Sequence, residues 1–197
     1  MTKMDIFSKD EFDEIKFTDI KCTSENLKYK IFEDCVFENC NFSESNFDES
    51  KFNDCEFNNC NLSITSFNNS KLQNVMFKNS KIVGVIFSYC NTDLLFSVNF
   101  EKCIIKTSSF SHLDLSKTSF IECEVIETDF LETDLTGGSF EDSNLKGSKF
   151  QNSNLSKVNF LTAYNYSINP IVNNIKKAKF SSSEAFSLLD YFDIIIE

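Results

Sequence analysis

A large apolar residue recurs at every fifth position of this chain, a period that suits neither a helix nor a flat strand. Written in fives from Cys35, the sequence reads CVFEN CNFSE SNFDE SKFND CEFNN CNLSI. From Phe32 to Phe87 all twelve positions at this spacing hold Phe, Leu or Ile, and from Phe100 to Phe160 all thirteen hold Phe, Leu, Ile or Val. Only 41% of the chain is hydrophobic, so such runs do not follow from composition. An amphipathic helix repeats its apolar residues about every 3.6 positions, and a half-buried strand about every two. A period of five, with a small residue two places before each apolar one, describes a chain that turns a corner in every pentapeptide. The pattern predicts an all-β solenoid.

A second period, of twenty, gives the coil four sides. Phe100, Phe120, Phe140 and Phe160 share one column, Phe110, Phe130 and Phe150 another. Leu115, Leu135 and Leu155 form a third, and Ile105, Val125 and Leu145 the fourth. Opposite walls thus carry Phe stacks and the other two carry aliphatics. With coils about 4.8 Å apart, eight or nine of them make a rod of roughly 40 Å. The register slips once, between Phe87 and Phe100, which lie thirteen residues apart. Only an insertion of three residues keeps the Phe walls continuous, so a bulge is expected within 91–97, with Asp93, Leu94, Leu95 and Phe96 as its members and an apolar contact point.

The triplets Ser45-Asn46-Phe47, Cys60-Asn61-Leu62, Thr128-Asp129-Phe130, Thr133-Asp134-Leu135, Ser143-Asn144-Leu145 and Ser153-Asn154-Leu155 carry a closer likeness. They resemble the consensus of the pentapeptide-repeat proteins: a small residue, Asp or Asn, Leu or Phe, then two free positions. That resemblance implies a right-handed quadrilateral β-helix with four pentapeptides per coil. Within the family the chain is most similar to the quinolone-resistance (Qnr-type) branch and its unassigned relatives, through Asp134-Leu135-Thr136-Gly137-Gly138-Ser139-Phe140 and an appended C-terminal helix. Where the most protective of those proteins carry long projecting loops, this chain has only its bulge.

Residues 1–180 are expected to form the β-helix and residues 181–197 its cap. Phe7, Phe12 and Phe17 keep phase, but Glu25 and Lys30 occupy small positions, which predicts a loose first coil. Ile168, Ala178 and Phe180 stay in frame, so residues 161–180, with the only proline, Pro170, form a last irregular coil. Ser181 and Glu184 fit a capping box. Ala185, Phe186, Leu188, Leu189 and Phe192 follow on helical spacing, and Asp193–Glu197 reads as a short strand. The helix covers strand edges that an open solenoid would expose. The resemblance adds a homodimer joined tail to tail through Phe186, Leu189, Phe192, Ile194 and Ile196.

Seven of the eight cysteines (Cys35, Cys40, Cys55, Cys60, Cys90, Cys103, Cys123) occupy the small position, interchangeable with Ser and Thr, and Cys22 an apolar one. They read as small buried hydrophobes, with no metal site and no cofactor. The only histidine, His112, lies in an ordinary repeat, and Gly137-Gly138 lacks the glycines and helix of a phosphate loop. No catalytic set emerges. The segment MTKMDIFSKD has no apolar core, and no run approaches the roughly 18 apolar residues of a membrane span. A cytosolic, non-enzymatic protein is expected.

The net charge of −11 is unevenly spread. Residues 1–60 carry 15 acids and 7 bases, residues 61–120 carry 3 and 6, and residues 121–197 carry 12 and 6. Within 121–142 stand eight acids and no base: Glu122, Glu124, Glu127, Asp129, Glu132, Asp134, Glu141 and Asp142. All fall on outward positions, an acidic belt about one coil tall. A solvated, solubilising face is one reading. The resemblance implies another: a DNA mimic that binds DNA gyrase or topoisomerase IV, not nucleic acid itself, and reduces quinolone damage. An interaction rod with an unrelated partner remains open, as does immunity to a toxin with the same target.

Overall fold

In a computed structural model that describes residues 6–93, 95–192 and 194–195, the backbone winds as a right-handed four-walled β-helix of about eight coils with a C-terminal helix. Strands of two to four residues pair in parallel with partners twenty positions on: Phe12 with Phe32, Phe17 with Phe37, Phe37 with Phe57. Each pentapeptide supplies one inward apolar residue between two outward ones, so the wall residues from Phe32 to Phe87 and from Phe100 to Phe160 are at most 5% exposed.

The second wall holds an unbroken stack from Phe17 to Phe180, its ring centroids 4.6–5.3 Å apart and its planes within 3–11° of parallel. The fourth wall holds Phe47, Phe67, Phe87, Phe110, Phe130 and Phe150. Rings of the two walls meet edge to face across the interior, as Phe110 does with Phe120 at 5.6 Å and 85°. Offset and T-shaped pairs of this kind each add about 0.5–1.5 kcal/mol beyond burial. In the second coil all four walls carry Phe, and Phe32, Phe37, Phe42 and Phe47 meet in a ring of T-shaped contacts.

The small position has a chemical role that burial alone does not express. Its side chain donates a hydrogen bond to the carbonyl of a wall residue in the preceding coil: Ser143 Oγ to Phe120 at 2.9 Å, Thr65 Oγ1 to Phe42 at 2.8 Å, Cys60 Sγ to Phe37 at 3.3 Å. Cys, Ser and Thr interchange there because each is small and carries one hydrogen. Cys35, Cys40, Cys55, Cys60 and Cys103 are therefore donors, not only hydrophobes. Gly138 is a different case, since a Cβ there would lie 2.8 Å from the carbonyl oxygen of Thr118.

The slip in register is a net insertion of three, reached in two steps. The Asn91 amide still bonds Ser70, but the Ser97 amide bonds Leu72, which sets Phe96 opposite Leu72 with four residues between it and Asn91. Val98 then pairs with Val75, which removes one residue at the next corner, and Phe100 lies beside Phe77. The expected apolar contact point is split. Leu95 faces solvent, whereas Phe96 turns inward and fills the first wall. Leu94 lies outside the described residues.

The first coil is regular, contrary to expectation, and pairs residue for residue with the second. Lys30 is accommodated because its ammonium reaches the Lys9 carbonyl and Asp10, each at 2.8 Å. At the other end, Phe150 pairs with Ile168 and Asn154 with Asn174, so the last coil shortens by two residues and then recovers them. Asn173 takes the donor position, its Nδ2 bonded to the Phe150 carbonyl at 2.9 Å. Ser181 caps the helix by accepting the Glu184 amide. Only Ser182–Ala185 is α-helical, and Phe186–Phe192 continues as a 3-10 helix. Ile194 and Ile195 are not in a strand, and the rest of the expected strand lies outside the described residues.

Phe120 stacks between Phe100 and Phe140 at 4.8 and 4.9 Å. Phe120→Ala opens a cavity in a dry column and should cost roughly 3–5 kcal/mol in urea unfolding. A neutral result would contradict the inward stack.

Candidate functional site

Three of every five residues face outward, so this rod offers surfaces to partners in place of a cleft. One outward residue per pentapeptide, two after the wall residue, adopts a left-handed conformation and makes the corner. Glu14, Asp34 and Asp54 do so in successive coils at φ 53°, 49° and 51°, as do Asn39, Asn59 and Asn79 at another corner. Asn and Asp tolerate this region better than most residues. The recurrence of Asp34, Asn39, Asp54 and Asn59 was the sequence signal for these corners, and the sequence reading did not use it.

All eight belt residues lie on the surface, spread over all four walls. Glu122 and Asp142 stand at one corner, Glu127 and Glu132 at two others, and Glu124, Asp129, Asp134 and Glu141 on the walls between. The belt is also less bare than its linear sequence suggests, because its neighbours in space are residues twenty positions away. Lys102 lies 3.6 Å from Glu122, Lys149 3.5 Å from Asp129, and His112 3.3 Å from Glu132. Asn144 and Asn154 donate to Glu124 and Asp134 at 3.0 and 3.2 Å. His112 is thus an exposed partner of a belt carboxylate.

A second acidic surface, counted in the sequence only as net charge, occupies the first coils. Glu11, Asp13 and Glu33 line a shallow groove of about 340 Å³ on the first wall. The corner column of Glu14, Asp34 and Asp54 adjoins it, and Asn74 donates to Asp54 at its far end.

The cap leaves apolar side chains in solvent. Phe186, Phe192 and Ile194 are each about half exposed, Leu189 is partly buried, and Leu188 packs on the core. Ile196 lies outside the described residues. Beside the cap, Ser167 and Tyr191 share a 2.6 Å hydrogen bond at the rim of a groove of about 430 Å³. Tyr166 is buried against Phe160 and Phe180, and burial pushes its phenol up to about 12.

Cys35 stacks under Cys55, Cys40 under Cys60 and Cys103 under Cys123 in the coil ladder. Burial pushes Cys55 up to about 12 and raises Cys90. The facing thiols of Cys40 and Cys103, together with burial, raise Cys60 and Cys123. Among the described residues no group of His, Cys, Asp and Glu is arranged to hold a metal, and no helix is long and apolar enough to cross a membrane. Because thiolate is the reactive form, the raised and buried cysteines should resist iodoacetamide in the native protein near pH 8, and all eight should react after denaturation. Mass spectrometry reads the difference, and rapid native labelling of Cys55 or Cys60 would contradict it.

Residues 30–95 and 85–161 match the family model for a pentapeptide repeat region. Curated proteins yield no match. Among solved structures, the chain is similar to a trypsin-treated form of QnrB1, a plasmid-mediated fluoroquinolone resistance protein, at 17% identity and a TM-score of 0.53, over 95% of this chain and 99% of that one. It is also similar to HetL, a pentapeptide repeat protein involved in heterocyst differentiation regulation from the cyanobacterium Nostoc sp. strain PCC 7120, at 13% identity and a TM-score of 0.48, over 91% and 92%. With the five-residue period, the four-walled coil and the family-model match over residues 30–161 in hand, the chain belongs to the pentapeptide-repeat family.

Proposed function

We propose that this chain is a non-enzymatic acidic rod that binds a type II topoisomerase, DNA gyrase or topoisomerase IV, as a mimic of duplex DNA, modulating the enzyme and protecting it against quinolones. The observation that carries this reading is the placement of carboxylates in columns along a rod. Glu14, Asp34 and Asp54 repeat at one corner at the coil spacing of about 4.8 Å, against about 3.4 Å of helix axis per phosphate on one DNA strand. Fixed backbone corners hold the Cα atoms of these residues in place before any partner arrives, so little backbone entropy is lost on docking. The likeness to QnrB1 supports the architecture that the reading requires.

A gyrase supercoiling assay with and without a quinolone tests it. The full chain should inhibit supercoiling or rescue it from the drug, and added salt should weaken either effect. Combined reversal of Glu14, Asp34 and Asp54 together with Glu127, Asp129, Glu132 and Asp134 to Lys should abolish it. Inhibition that survives this reversal, or no effect at micromolar protein, would remove the support.

The exposed Phe186, Phe192 and Ile194 favour a homodimer joined through the cap, which would place two acidic belts on either side of the junction. Sedimentation should show a dimer for the full chain and a monomer for Phe186→Asp with Phe192→Asp, with unchanged far-ultraviolet dichroism. A monomeric parent chain at high micromolar concentration would contradict this. A second reading, an interaction rod with an unrelated partner, is favoured by the solvent-facing Leu95 on the bulge.

A further inference from the structure

Residues 57–92 contain no carboxylate and three lysines, in a chain of net charge −11. Wound into the coil, this stretch is a band almost two coils tall between the acidic first coils and the belt. Within the band, the corner joining the third and fourth walls is apolar. Ile64 occupies the corner itself and is 63% exposed at φ 58°. Gly84 stands above it in the next coil, with Ile64 Cγ1 3.7 Å from where a Cβ would lie. Ile86 and Tyr89 are exposed on the fourth wall, where the 3-10 turn Phe87–Tyr89 replaces the usual left-handed corner. Together with Ser66 and Asn68 these residues line a groove of about 240 Å³.

Two features argue that this groove receives a partner. The first is strain. A β-branched side chain in the left-handed region is an outlier that strains the backbone, and Asn or Gly fills most other corners of these coils. An exposed Ile gains nothing from the core in return, so folding does not account for its presence. The second is charge. Lys81 and Lys106 stand on the adjoining third wall, Lys106 pairing with Val83 and bonding its carbonyl to the Gly84 amide at 2.9 Å. Neither lysine is ion-paired among the described residues. An acidic segment meets Lys81 and Lys106 here, whereas the acid-rich residues 1–56 and the belt at 121–142 repel it.

We propose that this corner is a docking site for a protein segment that presents an aliphatic or aromatic side chain flanked by carboxylates. The apolar side chain enters the groove between Ile64, Ile86 and Tyr89, and the carboxylates meet Lys81 and Lys106. A buried anchor supplies the affinity and the charges set the approach and register. The site is independent of the acidic surfaces invoked for the topoisomerase.

Fluorescence anisotropy on the full chain tests it with two labelled synthetic peptides, one alternating Glu with Leu and Phe, the other with Lys in place of Glu. The acidic peptide should bind, and Ile64→Asn should weaken it at least tenfold while raising the melting temperature, because Asn relieves the corner. Tyr89→Ser and Lys106→Glu should each weaken it as well. The basic peptide binds the acidic coils instead and should be indifferent to all three changes. Absence of acidic-peptide binding, unchanged binding in Ile64→Asn, or a lowered melting temperature in that variant would overturn the proposal. So would binding of a short DNA duplex that these same changes abolish, which would make the lysines a phosphate site.

Discussion

The hydrogen-bonded ladder between residues twenty apart governs everything else in this rod. The Asn41 amide reaches the Ile20 carbonyl at 2.7 Å and the Phe42 amide reaches Asn61 at 2.8 Å, and the same pattern repeats along the walls. Because parallel partners stand in register, each side chain lies directly over its equivalent in the coil below. Rings then stack on rings, and small-position donors such as Thr65, Ser143 and Cys60 each reach a wall carbonyl of the preceding coil. Such a donor matters because a buried carbonyl left without a partner costs about 1–3 kcal/mol. When the last coil departs from the pentapeptide pattern, Asn173 still bonds the Phe150 carbonyl. The hydrogen bond is kept even where the small side chain is not.

The ladder also redefines what counts as a neighbour for surface charge. Read linearly, residues 121–142 are eight acids without a base. In the coil, Lys102 and Lys149 arrive from above and below to meet Glu122 and Asp129. These pairs are exposed and each is worth little in stability, but they change what a partner meets. The corner column of Glu14, Asp34 and Asp54 has no such interleaved lysine within it, so the first coils present the more continuous acidic line. A partner that reads phosphate-like spacing has more to recognise there than the belt's linear count implies.

Which parts of this architecture were legible in the sequence follows from what repeats. The walls were legible because burial selects apolar residues at a strict interval, and the position of the slip was legible because Phe77 and Phe100 had to share a wall. Its internal form was not. Whether Leu95 or Phe96 turns inward depends on a corner shortened at Val98, and both side chains are equally apolar. The regular first coil was misread for a related reason. Lys30 stands at a small position, but a long side chain there can run over the open end to Lys9 and Asp10. The cap was legible as a helix from Ser181 and Glu184, while its passage into 3-10 geometry over Phe186–Phe192 was not, because the apolar spacing there suits either helix.

A fold specified so completely by its inward positions leaves the outward ones free, and this shifts where function must be sought. Any hydrophilic residue serves an outward wall position equally well, so polarity there carries little information. Departures carry more. Most corners hold Asn, Asp, Glu, Lys or Gly, and each is explained by solvation or by conformational ease. Ile64 is explained by neither, and it sits where carboxylates cease, beside Ile86 and Tyr89. In a globular protein an exposed isoleucine in an unfavourable conformation could be a by-product of packing elsewhere. Here the corner takes no part in the core, since the wall residues on either side, Leu62 and Phe67, are buried whatever the corner holds. Separating the residues that build the coil from those that dress it thus turns a local conformational cost into a signal about recognition.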